Sequence, residues 1–210
     1  MTPSASRFAL ATCVVLAVTA LAACHPKAPT WIPLTTESTT PASDVTLVWV
    51  GRGECERFED GRWVRRPEFD YEFSVEQRRR ADHWSSIKSM RRHHPSYDGS
   101  AGPRSLTYFF ELDFARPDAR GRVAASLASS LGAGTVQTDR EFRAAVIEIR
   151  ADVSRFAPFD RYRISQSYQY EQGRLEELVE LSDGDEPWVR NREVALLFGP
   201  RSFDGPPTRR

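Results

Sequence analysis

Apolar and polar residues alternate most clearly in the last third of the chain. Residues 162–170 and 174–181 have period two and flank Gln172-Gly173, which suits a tight turn. The residues that then share one face are Ile164, Gln166, Tyr168, Tyr170, Leu175, Val179 and Leu181. Another strand over 188–198 follows a turn at 183–187. Together these segments predict a C-terminal antiparallel meander.

The first half of the chain predicts a second hairpin. A β-prone run at 45–50 precedes Asp60-Gly61, and both turn residues tolerate positive φ. The turn sets Phe58 opposite Trp63, Glu59 opposite Arg62 and Glu56 opposite Arg65. A strand over 68–73 follows. Period two returns over 105–114, where one face carries Leu106, Tyr108, Phe110, Leu112 and Phe114.

Between these strands the sequence favours a helix. Ser74 and Gln77 form a capping box, and Pro95 ends a helical segment that runs over 75–93. The apolar stripe of this helix is narrow, with Trp84, Ile87 and Met90. The spacing therefore predicts an amphipathic helix with a wide polar face.

Two later segments fit either type of element. Residues 121–131 place Val123, Leu127 and Leu131 at helical spacing, although the same segment alternates like a strand. Residues 139–153 begin at a second capping pattern and favour a helix, with a strand as the alternative. The predicted fold class is α+β. It is mainly antiparallel sheet, in hairpins and a C-terminal meander, with one or two amphipathic helices and a barrel as one open arrangement.

The start of the chain resembles a targeting segment rather than part of a folded domain. An apolar run at 8–21 follows Arg7 and ends in Leu21-Ala22-Ala23-Cys24. This tetrapeptide resembles the lipobox of bacterial lipoproteins. The resemblance covers residues 1–24 only. It implies a signal peptide over 1–23 and a Cys24 that carries a diacylglycerol thioether and an N-acyl chain such as palmitate. His25, which is not aspartate, then implies the outer membrane, facing the periplasm.

The rest of the chain divides into a tether, one domain and a tail. Residues 24–43 are rich in proline and threonine and form a tether that reaches roughly 60 Å when extended. A single globular domain is expected over 44–203, with a disordered tail over 204–210. After cleavage the remaining cysteines are Cys24 and Cys55, so an acylated Cys24 excludes an intramolecular disulfide.

The net charge and the missing motifs reduce the number of functions that the sequence supports. With 29 basic and 29 acidic residues, the chain does not have the basic excess typical of nucleic-acid partners. It has no G-x-S-x-G elbow and no H-E-x-x-H motif. Ser85-x-x-Lys88 stands without the companion motifs of penicillin-binding proteins, and His83 and His94 are too far apart on a helix to share a metal ion. The sequence therefore indicates no cofactor and no metal.

One charge cluster suggests a contact. Residues 76–95 hold six basic and two acidic residues, and residues 171–186 hold seven acidic residues and one arginine. The candidate contacts for an anionic partner, either an envelope protein or an anionic lipid, are Arg78, Arg79, Arg80, Lys88, Arg91 and Arg92.

Three functions are compatible with these patterns. The first is a membrane-anchored envelope lipoprotein whose non-catalytic domain binds or scaffolds a partner through the basic helix. The second is a carrier of a small hydrophobic ligand inside a barrel. The third is a cell-wall or glycan hydrolase that uses Glu111 and Asp113, or a loop serine such as Ser100.

Overall fold

The computed structural model describes residues 45–80, 82–152 and 158–202. The predicted signal peptide, the tether with Cys24 and the tail lie outside these ranges. The strands of the described part are β1 (Val45–Glu59), β2 (Arg62–Arg65), β3 (Tyr71–Arg79), β4 (His83–Arg92), β5 (Ser105–Phe114), β6 (Arg122–Ser129), β7 (Gly132–Asp139), β8 (Ala144–Ala151), β9 (Arg161–Gln169), β10 (Arg174–Asp183) and β11 (Glu186–Ser202). Short 3₁₀ turns occur at Pro67–Phe69 and Tyr170–Gln172.

Ten of these strands close into an antiparallel barrel. Neighbours along the chain pair in turn, and β11 then pairs with β1 from Val45↔Ser202 to Arg57↔Val189. The remaining strand, β2, pairs only with the end of β1. Because the ring is closed, its strands leave no free edge for another chain to join.

The two faces of the wall differ in polarity. Along β5, for example, Leu112 faces inward and is buried, whereas Glu111 and Asp113 face outward and are exposed. The outward positions are mostly polar, apart from the exposed apolar residues Val50, Ile87, Phe109, Leu196 and Phe198. In the described part of the chain, no helix is long and apolar enough to cross a bilayer.

The predicted helix over 75–93 is wrong, because this segment forms β3, a turn and β4. Trp84 and Met90 face inward, and Ile87 lies outside with 40% of its surface exposed. Nine residue pairs join β3 to β4, from Tyr71↔Arg92 to Arg79↔Trp84. Pairing with neighbours on both sides outweighs the local capping signal.

The helical interpretation of 139–153 is also wrong, and the strand alternative is right. Strand β8 buries its alternate residues Ala145, Ile147, Ile149 and Ala151. Within residues 121–131 the chain forms strand β6, Arg122–Ser129, so the strand alternative is right there too. In place of the second helix start, Asp139 accepts hydrogen bonds from the backbone N–H groups of Arg143 and Ala144, 2.9 and 3.2 Å away. The domain is therefore a β-barrel, and the α+β class with amphipathic helices is not supported.

Both predicted hairpins are confirmed. Phe58 pairs with Trp63, Glu59 with Arg62 and Glu56 with Arg65, around a turn in which Asp60 and Gly61 have φ of 49° and 77°. The predicted strand over 68–73 begins later, at Tyr71, because Pro67–Phe69 form a 3₁₀ turn. At the other end of the chain, β9, β10 and β11 form the expected meander, and Gly173 adopts the left-handed conformation in its turn.

Candidate functional site

The candidate site is the cavity inside the barrel, with a volume of about 480 Å³. Its wall is formed by the inward faces of the strands. Aliphatic side chains dominate one part, with Leu112, Leu127, Leu131, Val136, Ile147, Ile164, Val179 and Leu181. A largely apolar cavity of this size, with a few polar groups, is typical of small-molecule sites.

The cavity reaches the loops at one end of the barrel, which we call the upper end. Exposed residues of the β4–β5 loop line it there, including Gly102 and Pro103. Phe159 and the half-exposed Trp188 line the same end, with their rings in edge-to-face contact at 5.9 Å. Both the start of β1 and the end of β11 lie at the opposite, lower end.

Aromatic side chains close the lower end. The Phe142 ring lies 4.7 Å from that of Trp84 and 5.1 Å from that of Phe114. The Arg79 guanidinium stacks over Trp84 at 4.0 Å and donates a 2.9 Å hydrogen bond to the Tyr170 hydroxyl. That hydroxyl donates in turn to the Phe142 carbonyl at 2.9 Å. We call these five residues the lower cap.

Lys88, Glu177 and Glu193 form a charge cluster within the wall of the cavity. The Lys88 ammonium donates to Glu193 and, at 3.2 Å, to Glu177. Only 12%, 5% and 2% of the Lys88, Glu177 and Glu193 side chains are exposed. Gln166 donates to Glu177, and the Tyr71 hydroxyl donates to Glu193. Three strands, β3, β4 and β9, therefore hold partners for the two carboxyl groups that β10 and β11 supply.

Burial and proximity set the protonation of this cluster. Burial raises the pKa of Glu193 to about 8 against the opposing charge of Lys88. Burial acts most strongly on Glu177, but the Lys88 charge and the hydrogen bonds with Glu193, Gln166 and Lys88 together outweigh it and lower the pKa of that carboxyl. Burial would lower the pKa of Lys88, yet its two carboxyl partners hold that pKa above the usual range. At neutral pH the two carboxyl groups thus share one proton, and Lys88 is a charged donor rather than a nucleophile.

Glycine residues in β1 make room for this cluster. A Cβ atom at Gly53 would lie 2.4 Å from the Tyr71 ring, and one at Gly51 would lie 2.3 Å from the Val194 carbonyl oxygen. The absence of a side chain at Gly53, which pairs with Tyr71 on one side and Glu193 on the other, lets the Tyr71 side chain cross β1 and reach Glu193. The sequence signal for the charge cluster is a charged residue at an inward position of an alternating strand, which occurs at Lys88, Glu177 and Glu193. The sequence analysis did not identify this signal.

The predicted basic contact surface is divided between the two faces of the wall. Arg78, Arg80 and Arg91 are exposed, whereas Arg79, Lys88 and Arg92 face the interior. This corrects the helical interpretation, since adjacent strand residues point to opposite faces. The same alternation separates Ser85, on the outer face, from Lys88. The structure therefore does not form one basic surface from all six residues.

The carboxylates considered for hydrolysis are on the outside. Glu111 and Asp113 are exposed, and Asp113 pairs with His83 Nδ1 at 2.8 Å. Ser100 lies at the upper end, where its backbone N–H donates to Asp98. These groups do not converge in a cleft. In the described ranges no three His, Cys, Asp or Glu side chains are close enough to hold a metal ion.

The fold and the cavity define a ten-stranded antiparallel β-barrel with an internal site. No protein-family model matches this sequence. A search of curated proteins finds no match either.

Proposed function

We propose that this protein binds and carries a small, mainly hydrophobic ligand inside its barrel. The observation that carries the proposal is the 480 Å³ cavity in the described domain, which is lined by aliphatic and aromatic side chains. A domain with a purely structural role gains stability by filling its interior, because an unfilled apolar cavity costs free energy. A volume of this size is therefore best understood as space for a ligand.

The buried charge cluster supports carriage rather than catalysis. Lys88 is fully engaged by two carboxyl groups, and its raised pKa keeps it from acting as a general base. The nearest thiol in the wall is Cys55, and burial raises its pKa to about 11. Few thiolates exist at neutral pH under these conditions. Neither group is prepared for covalent chemistry.

The second part of the proposal concerns location. The lipobox-like sequence ending at Cys24 supports a lipid anchor, and the tether supports a domain held at some distance from the outer membrane. The first described strand begins at the closed lower end of the barrel. We therefore propose an anchored carrier in the periplasm whose chain enters opposite the cavity opening.

Cavity filling tests the binding proposal directly. The probe is N-phenyl-1-naphthylamine, a neutral fluorophore, added to the full-length chain with Cys24→Ala, which carries no acyl chains at that position. Ala145 lies on the cavity wall, and its neighbour Ala144 lies on the outer face of the same strand. We expect Ala145→Phe to weaken binding of the probe at least tenfold and Ala144→Phe to leave it unchanged.

If Ala145→Phe does not fold, Val136→Phe fills the cavity from β7, the strand that pairs with β8. Circular dichroism establishes which variants retain the wild-type sheet content. Equal probe binding by the wild type and by a folded filled variant contradicts the proposal.

A further inference from the structure

Two arginines at the upper end of the cavity differ from the neighbouring arginines in having no carboxylate partner among the described residues. Arg57 and Arg92 both line the cavity, and neither forms an ion pair with a carboxylate in the described part of the chain. The surrounding carboxylates already have partners. Asp70 pairs with Arg65 at 2.5 Å, and Glu59 pairs with Arg66 at 2.5 Å. In the described part of the chain, these two guanidinium groups therefore line the cavity without a carboxylate in ion-pair contact.

Arg92 has an unused donor within the protein. The residue is 9% exposed, and its Nη1 donates to the Pro103 carbonyl at 3.0 Å. Its Nε is buried without a hydrogen-bond partner. Buried donors on charged groups are normally satisfied, so an orphan in a cavity wall points to a ligand. The other such guanidinium, that of Arg79, belongs to the lower cap and does not line the cavity.

Arg57 lies on the same side of the opening. Its guanidinium stacks over the Phe69 ring at 4.1 Å, and the Arg92 guanidinium lies 5.1 Å from the Tyr97 ring. The Phe69 and Tyr97 rings contact each other edge to face at 5.8 Å, so the two guanidinium groups lie around one aromatic pair. Asp98 is within electrostatic range of Arg57, but its side chain accepts the Ser100 N–H and forms no ion pair.

Tyr108 adds a neutral donor beside these charges. It lines the cavity from β5, and both Arg92 and Lys88 act electrostatically on its hydroxyl. The hydroxyl makes no hydrogen bond with the described residues. Two unpaired guanidinium groups and a free hydroxyl are the donors that a carboxylate or phosphate head requires.

Below this group the cavity wall is mainly apolar, and the Lys88, Glu177 and Glu193 cluster interrupts it on one side. From Arg92 to Trp84 the inward face of β4 extends eight residues, roughly 26 Å along the strand at about 3.3 Å per residue. Because the strands of a closed barrel tilt by roughly 35–45°, this length corresponds to a depth of about 20 Å, which accommodates an extended hydrocarbon tail that ends at the lower cap.

On the basis of the proposed function, we infer that the ligand is an anionic amphiphile with one apolar tail. Arg57, Arg92 and Tyr108 hold its acidic head at the upper end, and the aliphatic wall surrounds the tail. Free fatty acids and single-chain phosphate lipids share this chemistry.

Four probes with the same twelve-carbon tail test the inference: dodecanoate, dodecyl phosphate, dodecanol and dodecylamine. Each is used to displace N-phenyl-1-naphthylamine from the full-length Cys24→Ala chain. We expect the two anions to bind at least tenfold more tightly than the alcohol and the amine. Comparison of the carboxylate with the phosphate then identifies the source of the head group.

Variants locate the head. We expect Arg92→Gln and Arg57→Gln each to reduce the preference for the anions over dodecanol severalfold while N-phenyl-1-naphthylamine still binds. Arg91→Gln is the matched control, because Arg91 adjoins Arg92 and is exposed on the outer face. Arg92→Lys keeps the charge and should retain most of the preference for anions, and Arg57→Gln gives the test of charge removal if Arg92→Gln does not fold.

Tighter binding of dodecylamine, or equal binding of all four probes, overturns the inference and leaves the carrier proposal standing. Loss of anion preference in Arg91→Gln alone also overturns it. If the wild type binds neither the fluorophore nor any of the four probes, both proposals fail.

Discussion

Glu193 shows how strongly the barrel acts on a single side chain. Its carboxyl faces Lys88 from β4, Glu177 from β10 and the Tyr71 hydroxyl from β3. An isolated buried carboxylate is costly, so this group keeps its proton to well above the pH at which an exposed glutamic acid loses it. The interior is thus polar at one point and apolar around it, which restrains what can bind there.

The raised pKa of Glu193 predicts a specific dependence of stability on pH. Because the folded state binds this proton more tightly, the stability that it contributes is complete below about pH 4 and is lost as the pH rises towards 8. In Glu193→Gln this position is uncharged at every pH. We therefore expect the variant to gain stability relative to the wild type between pH 5 and 8, by at most about 1.4 kcal/mol per pH unit.

Urea unfolding of both proteins at pH 5, 7 and 9 measures this difference. Glu148→Gln, which removes an exposed carboxylate on the outer face of β8, is the control. A constant difference between Glu193→Gln and the wild type across this range contradicts the protonation described above.

The sequence marks the three inward charged positions but could not reveal that they meet, because the three residues are distant in the chain. Lys88 and Glu193 are 105 residues apart and meet only when the barrel closes. By contrast, the alternation of each strand correctly placed Tyr168 and Leu175 on one face. Local pattern determines the direction of a side chain, whereas the pairing of remote strands determines its partner.

At the scale of elements, β1 is the strand on which the interior depends. Its first part pairs with β3, its last part pairs with β2, and β11 pairs along most of its length. Gly51 and Gly53 lie on its inward face, where any side chain would occupy the space of a neighbour. The strand therefore serves as a thin part of the wall that long side chains cross.

Gly53→Ala should destabilise the barrel by about 1–3 kcal/mol, the usual cost of overpacking. The physical reason is the 2.4 Å approach of the new Cβ to the Tyr71 ring. Adding Tyr71→Leu removes the ring, so the double variant should be more stable than the sum of the two single changes predicts. Urea unfolding of the four proteins at one pH gives this comparison. Strict additivity would show that the ring is not the obstacle.

The elements differ in how far local sequence determines them. The Asp60-Gly61 hairpin is correct to the residue, since its turn and its facing pairs lie within ten positions of each other. Ser74 and Gln77 form a pattern typical of a helix start at the beginning of 75–93. The segment nevertheless forms β3 and β4, because β3 pairs with β1 and β4 pairs with β5. The capping pattern could not reveal those partners.

At the scale of the whole molecule, the proposed lipid anchor predicts a specific labelling result. Two cysteines would remain after signal cleavage, and only Cys24 lies in the lipobox-like sequence. We expect cells grown with a labelled fatty acid to label the wild type and Cys55→Ala but not Cys24→Ala. Cys55 is the matched control, because it is buried and its raised pKa makes it unreactive. Label that persists in Cys24→Ala contradicts the lipid anchor.

The closure of the ring also determines at what stage of synthesis this domain can fold. The closing strand pair, β1 with β11, joins Val45 to Ser202, which are the first and last described residues. Contacts between such remote residues form slowly, since the loop entropy must be overcome before any of them stabilises the fold. A nascent chain without β11 has two open edges and no enclosed interior. The barrel therefore encloses no cavity until β11 has been synthesised, so under the proposed function the protein binds its ligand only after the whole domain has folded.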